Sequence, residues 1–141
     1  MISQLTVFLE NKKGHLARAC AAIAEAGFDM KALFLADTAD FGIARIFCDR
    51  PLAAAAALSE AGFRAKIVPV LAVRVPHRRG GLAELLAFLD AADVNIEYSY
   101  CFSVGADTAV DVLKVGTDDV EGRLAAAGFE IVQEKEVYEL G

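Results

Sequence analysis

The chain has 141 residues, of which 56% are hydrophobic, and a formal net charge of −6. Residues 1–70 carry 8 basic and 7 acidic side chains and residues 71–141 carry 6 and 13, so neither half offers the basic face that a nucleic-acid partner requires. No apolar run reaches the roughly 18 residues of a membrane span, and Met1-Ile2-Ser3-Gln4-Leu5-Thr6 is not a basic leader ahead of an apolar block. The expectation is a soluble, cytoplasmic protein with neither membrane nor nucleic acid among its partners.

Taken in chain order, the first strand is expected where Leu5, Val7 and Leu9 alternate with Gln4, Thr6 and Phe8, a pattern that buries one face. The loop Glu10-Asn11-Lys12-Lys13-Gly14-His15-Leu16 leads into a helix over 14–26. On it Leu16, Ala19, Cys20 and Ile23 recur at i, i+3, i+4, i+7, which is one helical face. Gly27 follows, then a strand over 28–36 that places Phe28, Met30, Ala32 and Phe34 together. Asp37-Thr38-Ala39-Asp40 reads as a turn into a strand over 41–48. Pro51 suits the first turn of a helix over 51–61, Gly62 suits its C′ position, and Phe63 opens a last strand. The order is β-α-β-β-α-β.

Displaced by 66 residues, the order repeats. Leu5 falls on Leu71, Val7 on Val73, Gly14 on Gly80, Leu16-Ala17 on Leu82-Ala83, and Ala61-Gly62-Phe63 on Ala127-Gly128-Phe129. The helical face returns as Leu82, Leu85, Leu86 and Leu89, so the packing constraint is kept while the residues drift. Helices over 80–92 and 118–127 are expected, the second capped by Thr117 or Asp118, with strands over 94–102 and 108–115 joined at Ser103-Val104-Gly105-Ala106. A period this long marks a duplicated domain, not a solenoid. The fold class is α+β: two ferredoxin-like βαββαβ units in tandem, residues 1–69 and 70–141, each an antiparallel sheet with both helices on one face. No flexible linker separates them, and Pro69, which cannot donate to a ladder, marks the boundary. Pairing two such units covers the bare sheet surface and forms two similar grooves, where small molecules are favoured.

The chemistry-bearing segments are the loops before the first helix of each copy, Glu10–Leu16 and Pro76-His77-Arg78-Arg79-Gly80-Gly81-Leu82. Each has two basic residues and a glycine at a helix start, where backbone N–H groups face outward and suit a carboxylate. The same glycines also serve simply to make the turn, and composition leaves both readings open. No Gly-x-Ser-x-Gly, Walker loop or His-Glu-x-x-His is present, so no catalytic residue, cofactor or metal is expected and the chain reads as a non-enzyme. Cys20, Cys48 and Cys101 form no metal spacing and read as free thiols.

The segments Asn11-Lys12-Lys13-Gly14-His15-Leu16 and Gly27-Phe28-Asp29-Met30, repeated as His77–Leu82 and Asp93-Val94-Asn95-Ile96, resemble the signature of the ACT domain. That signature is a polar residue, a glycine three positions on, a leucine two beyond, and later a Gly-apolar-Asn-Ile stretch opening a strand. The resemblance spans essentially the whole chain, twice. It implies a regulatory module that binds an amino acid or related carboxylate between paired domains, with a homodimer compatible with such pairing and a metabolic enzyme as a partner. It also implies roles: Asn11 touching ligand, Gly14, His15 and Leu16 offering backbone N–H groups, and Asp29 at the strand start of the facing domain. The matching positions in copy two are His77, Gly80, Gly81, Leu82 and Asn95. The chain departs from the pattern at Lys13 and Arg79, where proline is common, at Asp29 and at His77, so the two grooves are expected to be unequal. The alternative is an interaction subunit that docks on an enzyme or transcription factor without a ligand of its own.

Overall fold

The computed structural model describes the chain except residues 11, 38–40, 104–105, 117–118 and 140–141. Its elements run β1 (Ile2–Glu10), α1 (His15–Glu25), β2 (Met30–Asp37), β3 (Phe41–Cys48), α2 (Pro51–Glu60), β4 (Arg64–Pro76), α3 (Gly81–Ala91), β5 (Ile96–Ser103), β6 (Thr108–Val115), α4 (Val120–Ala126), β7 (Glu130–Ile131) and α5 (Glu134–Glu139). Two compact units result, Ser3–Val68 and Pro69–Gly141, the latter with Met1–Ile2. The last strand of the first copy and the first of the second are one continuous strand, β4, with exposed Pro69 inside it.

In the first unit the strands lie in the order β2-β3-β1-β4, in the second β5-β6-β4-β7. Counted within each copy, both orders are second, third, first, fourth, and the ladders are antiparallel. The predicted ferredoxin-like topology is therefore present twice. Each unit has its own core. Leu5, Val7, Leu9, Ala19, Ile23 and Leu58 form the first; Leu71, Val73, Val75, Leu85, Leu89 and Leu124, each 66 residues further on, form the second. Fully burying one such leucine, isoleucine or valine is worth about 1.5–3 kcal/mol.

The four helices of the two copies end alike. Gly27, Gly62 and Gly128 adopt left-handed φ of 86°, 91° and 93°, and Asp93 takes the same place with φ 59°. After α2, for example, Gly62 N–H donates to the Ser59 carbonyl and Phe63 N–H to Leu58; after α4, Gly128 and Phe129 donate to Ala125 and Leu124. That pair of bonds satisfies carbonyls the helix leaves open and drives the next apolar residue back onto the core.

The structure differs from the sequence expectations in four places. The ladder shifts register between Met30 and Ala32, and again between Ile96 and Tyr98, at matching positions of β2 and β5. A bulge there turns the strand over, so Phe28 and Met30 pack on the core while Ala32 and Phe34 pair with Phe47 and Arg45. The single apolar face expected over 28–36 is thus broken. Gln4 and Thr6, expected on the open face of β1, are buried, with Gln4 Nε2 donating to Thr6 Oγ1 at 3.0 Å. Helix α4 is capped by Asp119, whose carboxylate accepts from Gly122 N–H at 3.0 Å; Thr117 and Asp118 lie outside the described residues. The last strand shrinks to two residues because α5 follows at once, its start held by Gln133 N–H donating to Glu136 at 2.6 Å, as in a capping box.

Candidate ligand site

The two loops that open α1 and α3 are built from the same hydrogen bonds. In the first, Lys12 N–H donates to Glu10, His15 N–H to Lys12 and Arg18 N–H to Gly14; in the second, Arg78 donates to Pro76, Gly81 to Arg78 and Glu84 to Gly80. Gly14 and Gly80 both stand at φ 85°, a left-handed turn that a side chain resists, and each is the N-cap of its helix. Neither α1 nor α3 has a side-chain cap, so the partial positive charge of each N-terminus is left for another group. The two ends differ in charge. The first turn of α1 holds no acidic residue, whereas that of α3 holds Glu84, paired with Arg78 at 3.0 Å.

His15 and Gly81 occupy matching places with opposite consequences. His15 Nδ1 lies 2.8 Å from the Glu10 backbone nitrogen and 3.2 Å from the Glu10 carbonyl oxygen, and the ring stacks on Phe63 with centroids 5.5 Å apart. Gly81 is buried, and a Cβ there would run into the Pro76 carbonyl oxygen. The second loop thus has no room for the side chain that the first uses.

Of the other residues the sequence singles out, Asn11 lies outside the described residues. Leu16 is half-buried and packs on the first core, which makes it a structural leucine; Leu82 is more exposed and, with His77, lines a hollow of about 290 Å³ beside Phe102 and Ser103. His77 anchors its loop by donating its N–H to the Asp107 carbonyl. Asp29 lies at the other end of its unit. In β3, Phe41 pairs with Glu10 and Cys48 with Met30, so seven strand residues, roughly 23 Å, separate Asp29 from the Gly14 loop of the same copy. There it pairs with Lys31 at 2.8 Å, and its N–H, donated to Asp49 at 3.0 Å, holds the Asp49 carboxyl below its ordinary value. Asn95 stands equally far from His77 and lines a separate hollow with Asp93, Glu97 and Gly116. Within one copy, the loop residues and the strand-start residues do not come together.

A cleft that the sequence motifs mark only in part lies beside each loop. In the first copy it measures about 540 Å³ and is lined by Phe8, Phe41, Phe63, His15, Glu10 and Arg64. In the second it measures about 480 Å³ and is lined at the matching positions by Arg74, Asp107, Phe129 and Glu130, with Glu84 nearby. Lys12, hydrogen-bonded to Glu10, holds that carboxyl below its usual value, so Glu10 stays ionised and occupied with Lys12. None of Phe8, Phe41 or Arg64 belongs to a local motif, and Phe63 is marked only as part of the repeated Ala-Gly-Phe helix closure.

The duplicated topology and the paired helix-entry loops define a tandem α+β module with an uncapped helix start in each half. A profile of the ACT domain pair matches residues 1–140, and the chain belongs to the ACT domain family. A crystal structure of a Bacteroides thetaiotaomicron protein is 33% identical, with a TM-score of 0.92, over 99% of this chain and 96% of that one. The ligand-free regulatory subunit of aspartate kinase from Thermus thermophilus shares the fold, at 20% identity and a TM-score of 0.60 over 89% of each chain. So does its counterpart from Thermus flavus, at 16% identity and 0.62 over 96% of this chain and 92% of that one. Among curated protein sequences, none matches. Among the described residues, no helix is long and apolar enough to cross a membrane.

Proposed function

We propose that the protein is a non-catalytic regulator that senses an amino acid or related small carboxylate, with the ligand carboxylate against the N-terminus of α1 at Gly14-His15-Leu16. One observation carries the reading: an eleven-residue helix opens from a left-handed glycine with no side-chain cap and no acidic residue in its first turn. Such an end stabilises an anion by its free N–H groups and its dipole together. Family membership supports the regulatory role, and the fold shared with aspartate kinase regulatory subunits is consistent with it. Asn11 hydrogen-bonds the ligand in this reading.

Calorimetry on the wild type and Asn11→Ala, after a thermal-shift screen of the twenty amino acids, tests it. A ligand that binds only the folded state raises the melting temperature. Loss of one hydrogen bond to a charged or partly buried group costs about 1–3 kcal/mol, roughly 5- to 150-fold in affinity. Equal binding by the variant would move the site elsewhere. A second reading is a docking subunit for a metabolic enzyme or a homodimer. It draws on edge strand β2, where Leu33, Phe34 and Leu35 are all exposed. Failure of every amino acid at millimolar concentration would favour it.

A further inference from the structure

The two clefts beside the helix-entry loops occupy the same place in each copy but have opposite chemistry. We infer that the first-copy cleft selects a ring-bearing carboxylate, its ring among Phe8, Phe41 and Phe63 and its carboxylate at Arg64, and that the second-copy cleft does not bind one. This rests on the carboxylate-sensing role proposed above but not on its placement at the α1 N-terminus: it moves the carboxylate to Arg64 and specifies the class of ligand and the copy that takes it.

In the first cleft the rings face one another: Phe8 and Phe41 are tilted at 56° with centroids 6.5 Å apart, and His15 stacks on Phe63. Arg64 and Lys66 both lie over the Phe8 ring, at 5.6 Å and 5.4 Å from its centroid. Among the described residues neither cation is paired with a carboxylate, so their contacts are with a π face and solvent. A planar ring adds stacking area to this set, and an anionic group on it meets a guanidinium held at the rim. Charge and shape thus ask for the same ligand. A volume of about 540 Å³ is ample for a single substituted ring.

In the second cleft the arginine charge is paired from within. Arg74, standing where Phe8 stands, pairs with Glu130 at 3.3 Å and Glu136 at 3.6 Å. Glu130 replaces Arg64 and Asp107 replaces Phe41, so the rim that is cationic in one copy is anionic in the other. Phe129 is turned onto Phe88 of α3, with centroids 5.4 Å apart, and Ala22 holds the Phe88 position in the first copy. A carboxylate entering there meets like charge.

The test is calorimetry on the full chain with phenylalanine, phenylacetate, leucine, alanine and phenethylamine, which carries a ring but no carboxylate. Phenylalanine or phenylacetate should bind about tenfold or more tightly than alanine or leucine, and phenethylamine should be weakest. Arg64→Glu, which installs the second-copy charge on an exposed side chain, should lower affinity for the ring carboxylates by roughly tenfold or more, and Arg64→Gln by less. Phe41→Asp should do the same at the opposite wall, and melting curves of all three variants check that the fold is intact. If leucine binds as well as phenylalanine, or folded Arg64→Glu binds like wild type, the inference falls while the carboxylate-sensing reading stands. If none of the probes and none of the twenty amino acids binds, both fall together.

Discussion

The two copies agree in backbone and disagree in side chains. Their strand orders, helix-entry hydrogen bonds and helix-closing turns match at a displacement of 66 residues, down to the bulges in β2 and β5. Phe63 and Phe129 aside, side chains that line the clefts and the middle of each sheet differ: Phe8 against Arg74, Phe41 against Asp107, Arg64 against Glu130, Arg45 against Asp111. Duplication thus preserves what folds the chain, because every core position answers to the same packing requirement. It leaves free what a groove recognises, because a solvated wall constrains the fold little. A tandem pair of this kind holds two copies of one scaffold and two different clefts.

The largest expected difference between the copies is at His15 and Gly81. Gly81→Ala forces a methyl against the Pro76 carbonyl and should destabilise the protein by about 1–3 kcal/mol in denaturant titration. His15→Ala at the matching place removes one ring bond and a stack, a loss of about 1 kcal/mol. Equal losses would mean that the two loops are packed alike after all.

Next comes Asp111, which has an arginine, Arg45, at its counterpart in the other copy. Burial pushes the Asp111 carboxyl above its ordinary value, against the hydrogen bonds from Ser99 Oγ at 2.6 Å and Cys101 Sγ at 3.2 Å that lower it. The folded state therefore holds this proton at pH values where the unfolded chain has lost it. Stability contributed by the site is complete below the ordinary carboxylate pKa of about 4 and is lost as pH rises through the raised value. Each unit of elevation corresponds to about 1.4 kcal/mol. The wild type minus Asp111→Asn difference in unfolding free energy, followed upward from pH 4, should fall and then level. A flat difference would show that the folded and unfolded states bind this proton equally.

The smallest effect is at the helix ends. Asp93 holds a left-handed conformation that Gly27 takes without strain. Asp93→Gly should stabilise by about 0.5–1 kcal/mol, and Gly27→Asp should cost about as much. Melting temperatures of the pair check both signs, and two shifts in the same direction would contradict the equivalence of the turns.

Topology, helix positions and closing glycines were legible because each rests on local periodicity or on a residue with one conformational use. The bulge at Lys31 was not, since an inserted ladder residue leaves the apolar alternation looking intact. Burial of Gln4, Thr6 and Asp111 was not, because alternation reports that one strand face is polar and says nothing of what lies over it. The cleft was hidden for a further reason. Its walls come from β1, the start of β3 and the α2–β4 junction, which are separate in the chain. A signal was nonetheless present in the mismatches of the internal repeat, at Phe8, Phe41 and Arg64, while the identities marked only the scaffold.

Cys101 is exposed, which ordinarily invites alkylation and peroxide attack. Its surroundings in the sheet, Asp111 among them, change that. Desolvation, the hydrogen bond to that carboxylate and the nearby negative charge push the thiol up to about 12. At neutral pH only about one molecule in 10⁵ would then carry the thiolate, the form that reacts with electrophiles and oxidants. Desolvation first, and with it a carboxyl group within the sheet, thus guards a sulfur at its surface, so that exposure to solvent and exposure to oxidation become separate properties of the same side chain.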